Sequence, residues 1–385
     1  MRVAVVHDWL YVLGGAERVL GEILQCYPQA HVFSLFDVLP PADRAVIGIA
    51  RETTSFLQNA PFVGTHHRFY LPLMPLAIEQ FDLSAYDLVI SSSFATAKGV
   101  LTGPDQIHIS YVHSPMRYAW DMQHQYLRDN GFEKGMKGAV ARILLHYLRI
   151  WDARTANGPD VMVANSQFVA RRIEKSYGRK AKVIYPPVTL GGGREVLHRP
   201  YFLTASRLVP YKNVEAIVRA FADLEDLQLI VAGDGPEAAR LRRMATENVS
   251  FEGFVSDERL RYLMASARAF VFAAEEDFGI VVVEAMSEGT PVLALDRGGA
   301  RESVSASEPR SGMFFANATP ADIAACIRKF VAEEDRFSRT ACRRQAQNFS
   351  AERFRREFKD LVDRTIADRE RGKETNWTPA WPMTI

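Results

Sequence analysis

Glu276-Asp277-Phe278-Gly279-Ile280-Val281-Val282-Val283-Glu284 is the stretch on which the fold reading turns. The apolar run before it, Ala269–Ala273, has the composition of a buried strand. The acidic loop therefore falls at a strand's carboxyl edge, and Gly279 opens a helix. N–H groups near Ile280 and Val281 would point at whatever occupies that edge. Glu276 stands before the helix and Glu284 inside it, so the two bracket a bound group. Val281–Val283 and Ala285–Met286 flank Glu284. A carboxylate on an otherwise apolar helix is costly unless paired, and a hydroxyl-rich ligand such as a ribose would satisfy it.

Working outward, short apolar runs alternate with longer periodic segments, the pattern of βα units with parallel strands. In the first half the runs are Val3–Val6, Leu88–Ser91, His108–Val112, Val161–Ala164 and Lys182–Tyr185. In the second they are Tyr201–Ala205, Gln228–Ala232, Ala269–Ala273 and Pro291–Ala294. Pro186-Pro187, Gly191-Gly192-Gly193 and Pro200 lie between the two sets and read as a linker. The expected architecture is α/β, with two Rossmann-like doubly wound domains facing a cleft. The first is expected over 1–190 and the second over 191–350. Residues 351–385 form a basic helix and a Pro-containing extended tail, Trp377–Ile385, expected to pack back on the first domain.

The chain has 385 residues, enough for two cores, and a formal net charge of +1. No global field attracts nucleic acid, so none is expected as a partner, and any anion must be held by a local cluster. Three dispersed cysteines, Cys26, Cys326 and Cys342, suit a reducing cytoplasm and match no metal-ligand spacing. No run of about 18 uncharged apolar residues is present to span a bilayer. The expectation is a cytoplasmic protein that at most rests on the membrane's inner face.

Several strand ends carry chemistry. After Val3–Val6 comes Gly14-Gly15 at a helix start, which serves equally as a tight turn or as a close approach for an anion. After Tyr201–Ala205 come Arg207 and Lys212, a planar fork and a point charge able to converge on one diphosphate; as solvated loop charges they would need no ligand. Gly233-Asp234-Gly235-Pro236 ends the next strand as another small-residue turn. His108–Val112 runs into His113-Ser114-Pro115, which fits a rigidly held functional histidine or an ordinary hydrogen-bonded loop residue.

Arg207, Lys212, Glu276, Gly279 and Glu284, followed by Gly289-Thr290-Pro291-Val292, resemble the donor-site signature of glycosyltransferase family 4. Gly233-Asp234-Gly235-Pro236 and Phe251-Glu252-Gly253 fall at the family's places. The resemblance implies a GT-B fold and retaining transfer from a nucleotide sugar. It assigns Arg207 and Lys212 to the donor diphosphate, Glu284 to the ribose and Glu276 to hydroxyls of the transferred sugar. Backbone at Phe278, Gly279, Ile280 and Val281 would meet phosphate or sugar. Gly253, Phe254 and Val255 would hold the base, Gly14 and Gly15 would lie near the phosphates, and His113 would be the catalytic position of the first domain. In retaining chemistry the leaving diphosphate is a plausible base, so the protein mainly stabilises charge. No Asp-x-Asp pair occurs, so no metal and no cofactor are expected, and Arg207 and Lys212 supply the positive charge.

Tyr70–Leu83, Ser91–Gly99, Gly103–Gln106 and Tyr111–Asp121 are similar to a bacterial subgroup containing mannosyltransferases of O-antigen and exopolysaccharide assembly. That implies GDP-mannose as donor and a lipid-diphosphate-linked saccharide as acceptor, with GDP-fucose and UDP-glucose as alternative donors. In 134–154, Val140, Ile143, Leu144, Tyr147, Leu148, Ile150 and Trp151 are expected on one helical face, opposite Arg142 and Arg149. Such a helix either packs on its own sheet or lies on an anionic bilayer, with Lys134 and Lys137 just before it. Other readings of a two-domain chain are weaker. A phosphorylase needs an assignable pyridoxal lysine, an epimerase does not explain Arg207, Lys212 and Glu276, and a dehydrogenase needs Gly-x-Gly-x-x-Gly. A non-catalytic nucleotide-sugar sensor does not account for His113, Glu276 and Glu284 together.

Overall fold

The computed structural model describes residues 1–191 and 200–375. Gly192 and Gly193 of the expected linker, and the tail Trp377–Ile385, lie outside the described residues. The chain divides into two compact units. One comprises Met1–Asn165, Val169–Ile184 and the chain from Phe354 onward; the other comprises Ser166–Phe168 and Tyr185–Arg353.

The first unit holds β1 (Val3–His7), β2 (His31–Ser34), β3 (Glu52–Thr54), β4 (Leu88–Ser93), β5 (Ile107–Val112), β6 (Val161–Ala164) and β7 (Lys182–Val183). They form one sheet in the order β3-β2-β1-β4-β5-β6-β7. The second unit holds β8 (Tyr201–Ala205), β9 (Gln228–Ala232), β10 (Val249–Gly253), β11 (Ala269–Phe272), β12 (Val292–Leu295) and β13 (Gly312–Phe315). Their order is β10-β9-β8-β11-β12-β13. Every neighbouring pair in both sheets is parallel. Both orders contain the 3-2-1-4-5-6 arrangement of a doubly wound Rossmann sheet.

Apolar runs locate the central strands because both faces of a parallel sheet are covered. Four strands had no such signal. β3, β10 and β13 lie at sheet edges, and β3 (Glu-Thr-Thr) and β10 (Val-Ser-Phe-Glu-Gly) are largely polar. β2 is fully buried yet begins with His31, whose ring nitrogens contact Tyr86 Oη at 2.5 Å and Thr53 Oγ1 at 2.9 Å.

The helix Ala351–Thr375 covers the first sheet. Phe354, Phe358 and Val362 recur every fourth residue, share one helical face and are completely buried. The Phe354 and Phe358 rings stack at 5.6 Å, and Tyr111 of β5 meets Phe354 edge-on at 5.7 Å. Burying one such side chain contributes roughly 1.5–3 kcal/mol.

The helix Gly135–Thr155 departs from the single apolar face expected of it. Leu145, Leu148, Trp151 and Asp152 face the core. Val140, Ile143, Tyr147 and Ile150 instead join Met136 in an exposed stripe, Met136 being 84% and Ile143 68% accessible. The cause is Asp152, which pairs with the buried Lys98 and accepts from Trp120 Nε1 (2.7 Å) and Tyr177 Oη (2.9 Å). That cluster sets the rotation of the helix and turns the second apolar row outward. Arg149 is consumed within the unit, donating to Ala119 O and Gln123. Among the described residues no helix is long and apolar enough to cross a membrane.

Candidate active site

In a doubly wound sheet the chain leaves the two central strands in opposite directions, opening a crevice at their carboxyl ends. In the second unit those strands are β8 and β11. β8 ends in Ser206 and the exposed Arg207, and the turn Pro210–Lys212 follows. Asn213 then starts the helix Val214–Ala222 and donates from Nδ2 to Ala273 O at 3.0 Å, tying the two loops together. Lys212 Nζ forms an ion pair with Glu276 Oε1, both side chains being largely buried. The two expected ligand groups thus pair with each other.

Gly279 caps the helix Ile280–Ser287 with a φ of 82°. Val282, Val283, Ala285 and Met286 anchor that helix in the core, while Ile280, Val281 and Glu284 are half-buried. The first N–H groups of a helix lack intrahelical acceptors and favour an anion. Phe278 is different, because its ring is buried between Tyr185 (5.7 Å) and Phe349 (5.3 Å). Only its backbone is left to face the crevice. Gly253 ends β10 and accepts from Gly233 N at 2.7 Å. Beyond it Val255 packs on the core, whereas Phe254 is 86% exposed.

One pair went unread in the sequence. A Cβ on Gly298 would sit 2.5 Å from Glu276 O, and one on Gly299 would sit 2.3 Å from Phe278 Cα. The loop after β12 therefore presses against the acidic loop through bare backbone and fixes its shape. The available signal was a glycine pair just beyond a strand end, the same one that singled out Gly14 and Gly15.

The first unit's crevice lies at β1 and β4 and has another character. Asp8, fully buried beyond β1, accepts backbone N–H bonds from Phe94 (2.6 Å), Ala95 (2.9 Å), Ala97 (2.7 Å) and Thr96. Gly14 caps the helix Gly15–Cys26, and its N–H donates to Glu17 Oε2 at 2.9 Å. His113, just beyond β5, is held by its backbone: its N–H donates to Ser93 O (2.8 Å), and its carbonyl accepts from Asn165 Nδ2 (2.9 Å). Its Nε2 contacts Ser92 Oγ at 2.8 Å. Ser92 Oγ in turn lies 3.1 Å from His7 Nδ1, and His7 Nε2 lies 3.6 Å from Glu17 Oε1. Burial, with a smaller push from His7, lowers His113 to about 3, so the ring is uncharged at neutral pH. Among the described residues no group of three or more His, Cys, Asp or Glu has the geometry to hold a metal ion.

Residues 13–191 match the model of Glycosyltransferase Family 4, and residues 193–349 match that of Glycosyl transferases group 1. The chain belongs to this glycosyltransferase family, and its fold is GT-B. It is 29% identical over 221 residues to the GDP-mannose-dependent alpha-(1-6)-phosphatidylinositol dimannoside mannosyltransferase of Mycobacterium tuberculosis, covering 52% of this chain and 57% of the relative. It is 38% identical over 107 residues to a GDP-mannose-dependent alpha-mannosyltransferase of Mycolicibacterium smegmatis, 28% of each chain. The chain spans about half the length, or less, of the curated relatives it matches. Among solved structures, Anabaena Alr3699/HepE in complex with UDP and glucose superposes with a TM-score of 0.69 at 19% identity, covering 94% of this chain and 99% of that one. Sucrose-phosphate synthase from Thermosynechococcus elongatus gives 0.69 at 16% identity, covering 96% and 100%. These likenesses concern the fold.

Proposed function

We propose that the protein is a retaining hexosyltransferase that moves mannose from GDP-mannose onto a lipid-linked saccharide in bacterial polysaccharide synthesis. The observation that carries this reading is the β8–β11 crevice. There Lys212 pairs with Glu276 just before the helix start at Gly279, and Arg207 follows the end of β8. The mannose assignment is supported by relatives whose names specify GDP-mannose.

In this mechanism Arg207 and Lys212 hold the diphosphate, aided by the N–H groups of Ile280 and Val281. Glu284 takes the ribose, and Phe254 and Val255 take the base. When the diphosphate arrives, Lys212 exchanges Glu276 for phosphate oxygen, and Glu276 is released to the hydroxyls of the sugar. The acceptor hydroxyl attacks the anomeric carbon on the face from which the diphosphate departs. As the sugar–phosphate bond breaks, a diphosphate oxygen takes the hydroxyl proton, and the cations stabilise the charge that develops. His113 is the first unit's catalytic group. No metal or cofactor takes part, so chelation by EDTA leaves turnover unchanged.

Thermal shift and calorimetry against GDP-mannose, GDP-fucose and UDP-glucose test the donor. GDP-mannose should stabilise most; stabilisation by UDP-glucose alone would remove the mannose assignment. For the lipid-borne acceptor, the exposed stripe from Met136 to Ile150 and the exposed Lys134 and Lys137 fit an anionic bilayer. Flotation with anionic vesicles should recover the protein, and Ile143→Glu should abolish that recovery. Equal flotation of both proteins would refute the membrane contact.

A further inference from the structure

A line of four polar side chains runs through the first unit's interior and ends on His113. Its members are Glu17, His7, Ser92 and His113, the first three buried. Parallel pairing of β1 with β4 sets His7 directly beside Ser92, and β5 brings His113 to the far side of the same hydroxyl. None of this polarity helps packing, since each buried polar group must find a partner.

The order of donors along the line follows from what each group can offer. An ionised carboxylate only accepts, and Glu17 is held in place by the Gly14 N–H. The His7 nitrogen facing it, Nε2 at 3.6 Å, is therefore favoured as the protonated one. At that distance the carboxylate acts as a charge, and His7 Nε2 has no hydrogen-bond partner among the described residues. With its proton on Nε2, His7 keeps a lone pair on Nδ1 and must accept from Ser92 Oγ–H. Ser92 has no second proton to give, so its oxygen accepts from His113 Nε2–H. Run in reverse, the line would point a His7 lone pair at a carboxylate.

We propose that Glu17, His7 and Ser92 are positioning residues that hold His113 in the tautomer protonated on Nε2, leaving Nδ1 as a hydrogen-bond acceptor for a sugar hydroxyl. Among the described residues no hydrogen bond engages His113 Nδ1, whereas Nε2 is taken by Ser92. A lone pair there welcomes a hydroxyl and repels a phosphate oxygen. His113 thus belongs to the sugar side of the reaction and not to the diphosphate side. The identity of the hydroxyl rests on the glycosyl-transfer reading above; the tautomer does not.

The test is two-bond ¹⁵N–¹H correlation on the full chain labelled with ¹⁵N-histidine, at pH 7 and without ligand. His7→Gln and His113→Gln assign the signals. Wild type should show both rings protonated on Nε2. Ser92→Ala should release His113 into a mixture of tautomers. Glu17→Gln, which keeps its size and can offer an amide N–H to His7, should shift both rings toward Nδ1–H. In transfer assays both variants should lose about tenfold in kcat with donor KM unchanged. A wild-type His113 protonated on Nδ1, or an Nε2–H ring that neither variant alters, would overturn the proposal. Because the tautomer is read without donor, an inactive GDP-mannose assay would count against the donor alone.

Discussion

The crevices at the centre of the two sheets share one topology and differ in almost everything else. At β1 and β4 the polar groups are satisfied from within: Asp8 takes up the N–H groups of 94–97, and histidine and serine contact one another in series. At β8 and β11 the groups are charged, and one is exposed: Arg207 reaches solvent, and Lys212 and Glu276 neutralise each other. A strand order therefore specifies where a ligand goes and says nothing of its charge. The first crevice spends the N–H groups of 94–97 on its own aspartate. The second has a helix start at Gly279, an exposed Arg207 and the Lys212–Glu276 pair. That contrast predicts which substitutions alter chemistry, which alter affinity and which alter only stability.

The largest effect should come from Glu276→Ala. If Glu276 stabilises the reacting sugar as proposed, its loss should lower turnover by roughly 10²–10³-fold. Because the change also removes the Glu276 carboxylate from Lys212, affinity for GDP should hold or improve. Wild-type turnover in this variant would end the role given to Glu276. Lys212→Ala should act on the other quantity: losing a charge-assisted contact of about 1.5–3 kcal/mol weakens GDP binding by roughly 10–100-fold. Calorimetry separates the two, and Ser92→Ala in the other crevice should leave the GDP affinity unchanged. A Ser92→Ala variant that binds GDP as poorly as Lys212→Ala would erase the contrast.

The same contrast explains what was legible in the sequence. Lys212 and the run Glu276–Glu284 could be singled out because each follows a recognisable strand end, and the pairing of β8 with β11 brings Lys212 to Glu276. The line from Glu17 to His113 could not, because its members stand at 7, 17, 92 and 113 and meet only through the register of β1, β4 and β5. Polar residues at strand ends, His7-Asp8 and Ser91-Ser92-Ser93, were the one visible hint. The Gly135–Thr155 helix was misjudged for a related reason. Its apolar residues form two rows, and only the buried Lys98–Asp152 pair decides which row faces inward.

Acid should strike the first sheet. His108 is completely buried, with Ser91 Oγ 2.9 Å from Nε2 and no partner for Nδ1 among the described residues. Burial pushes both His108 and His113 down to about 3, well below the 6.5 of an unfolded histidine. Between those values the unfolded chain binds more protons than the native one, so stability falls as pH drops from about 6.5 toward 3. Each histidine contributes a slope of at most about 1.4 kcal/mol per pH unit. Denaturant melts across that window should show the loss, and His108→Gln should flatten it. Identical pH slopes for wild type and variant would place the acid sensitivity elsewhere.

Phe254 tests the second crevice at its least forceful point. The ring is 86% exposed just beyond β10, so its removal should leave stability within about 0.5 kcal/mol of wild type. If the ring stacks on a nucleobase, a contact worth about 0.5–1.5 kcal/mol is lost, and Phe254→Ala should weaken GDP binding by roughly 2–13-fold. Diphosphate alone carries no base, so inhibition by pyrophosphate should be the same in variant and wild type. Parallel losses for GDP and pyrophosphate would mean that Phe254 shapes the loop and does not touch the base. A GDP-specific loss would extend the crevice from Arg207 and Lys212 out to β10, with charge at one end and an aromatic face at the other.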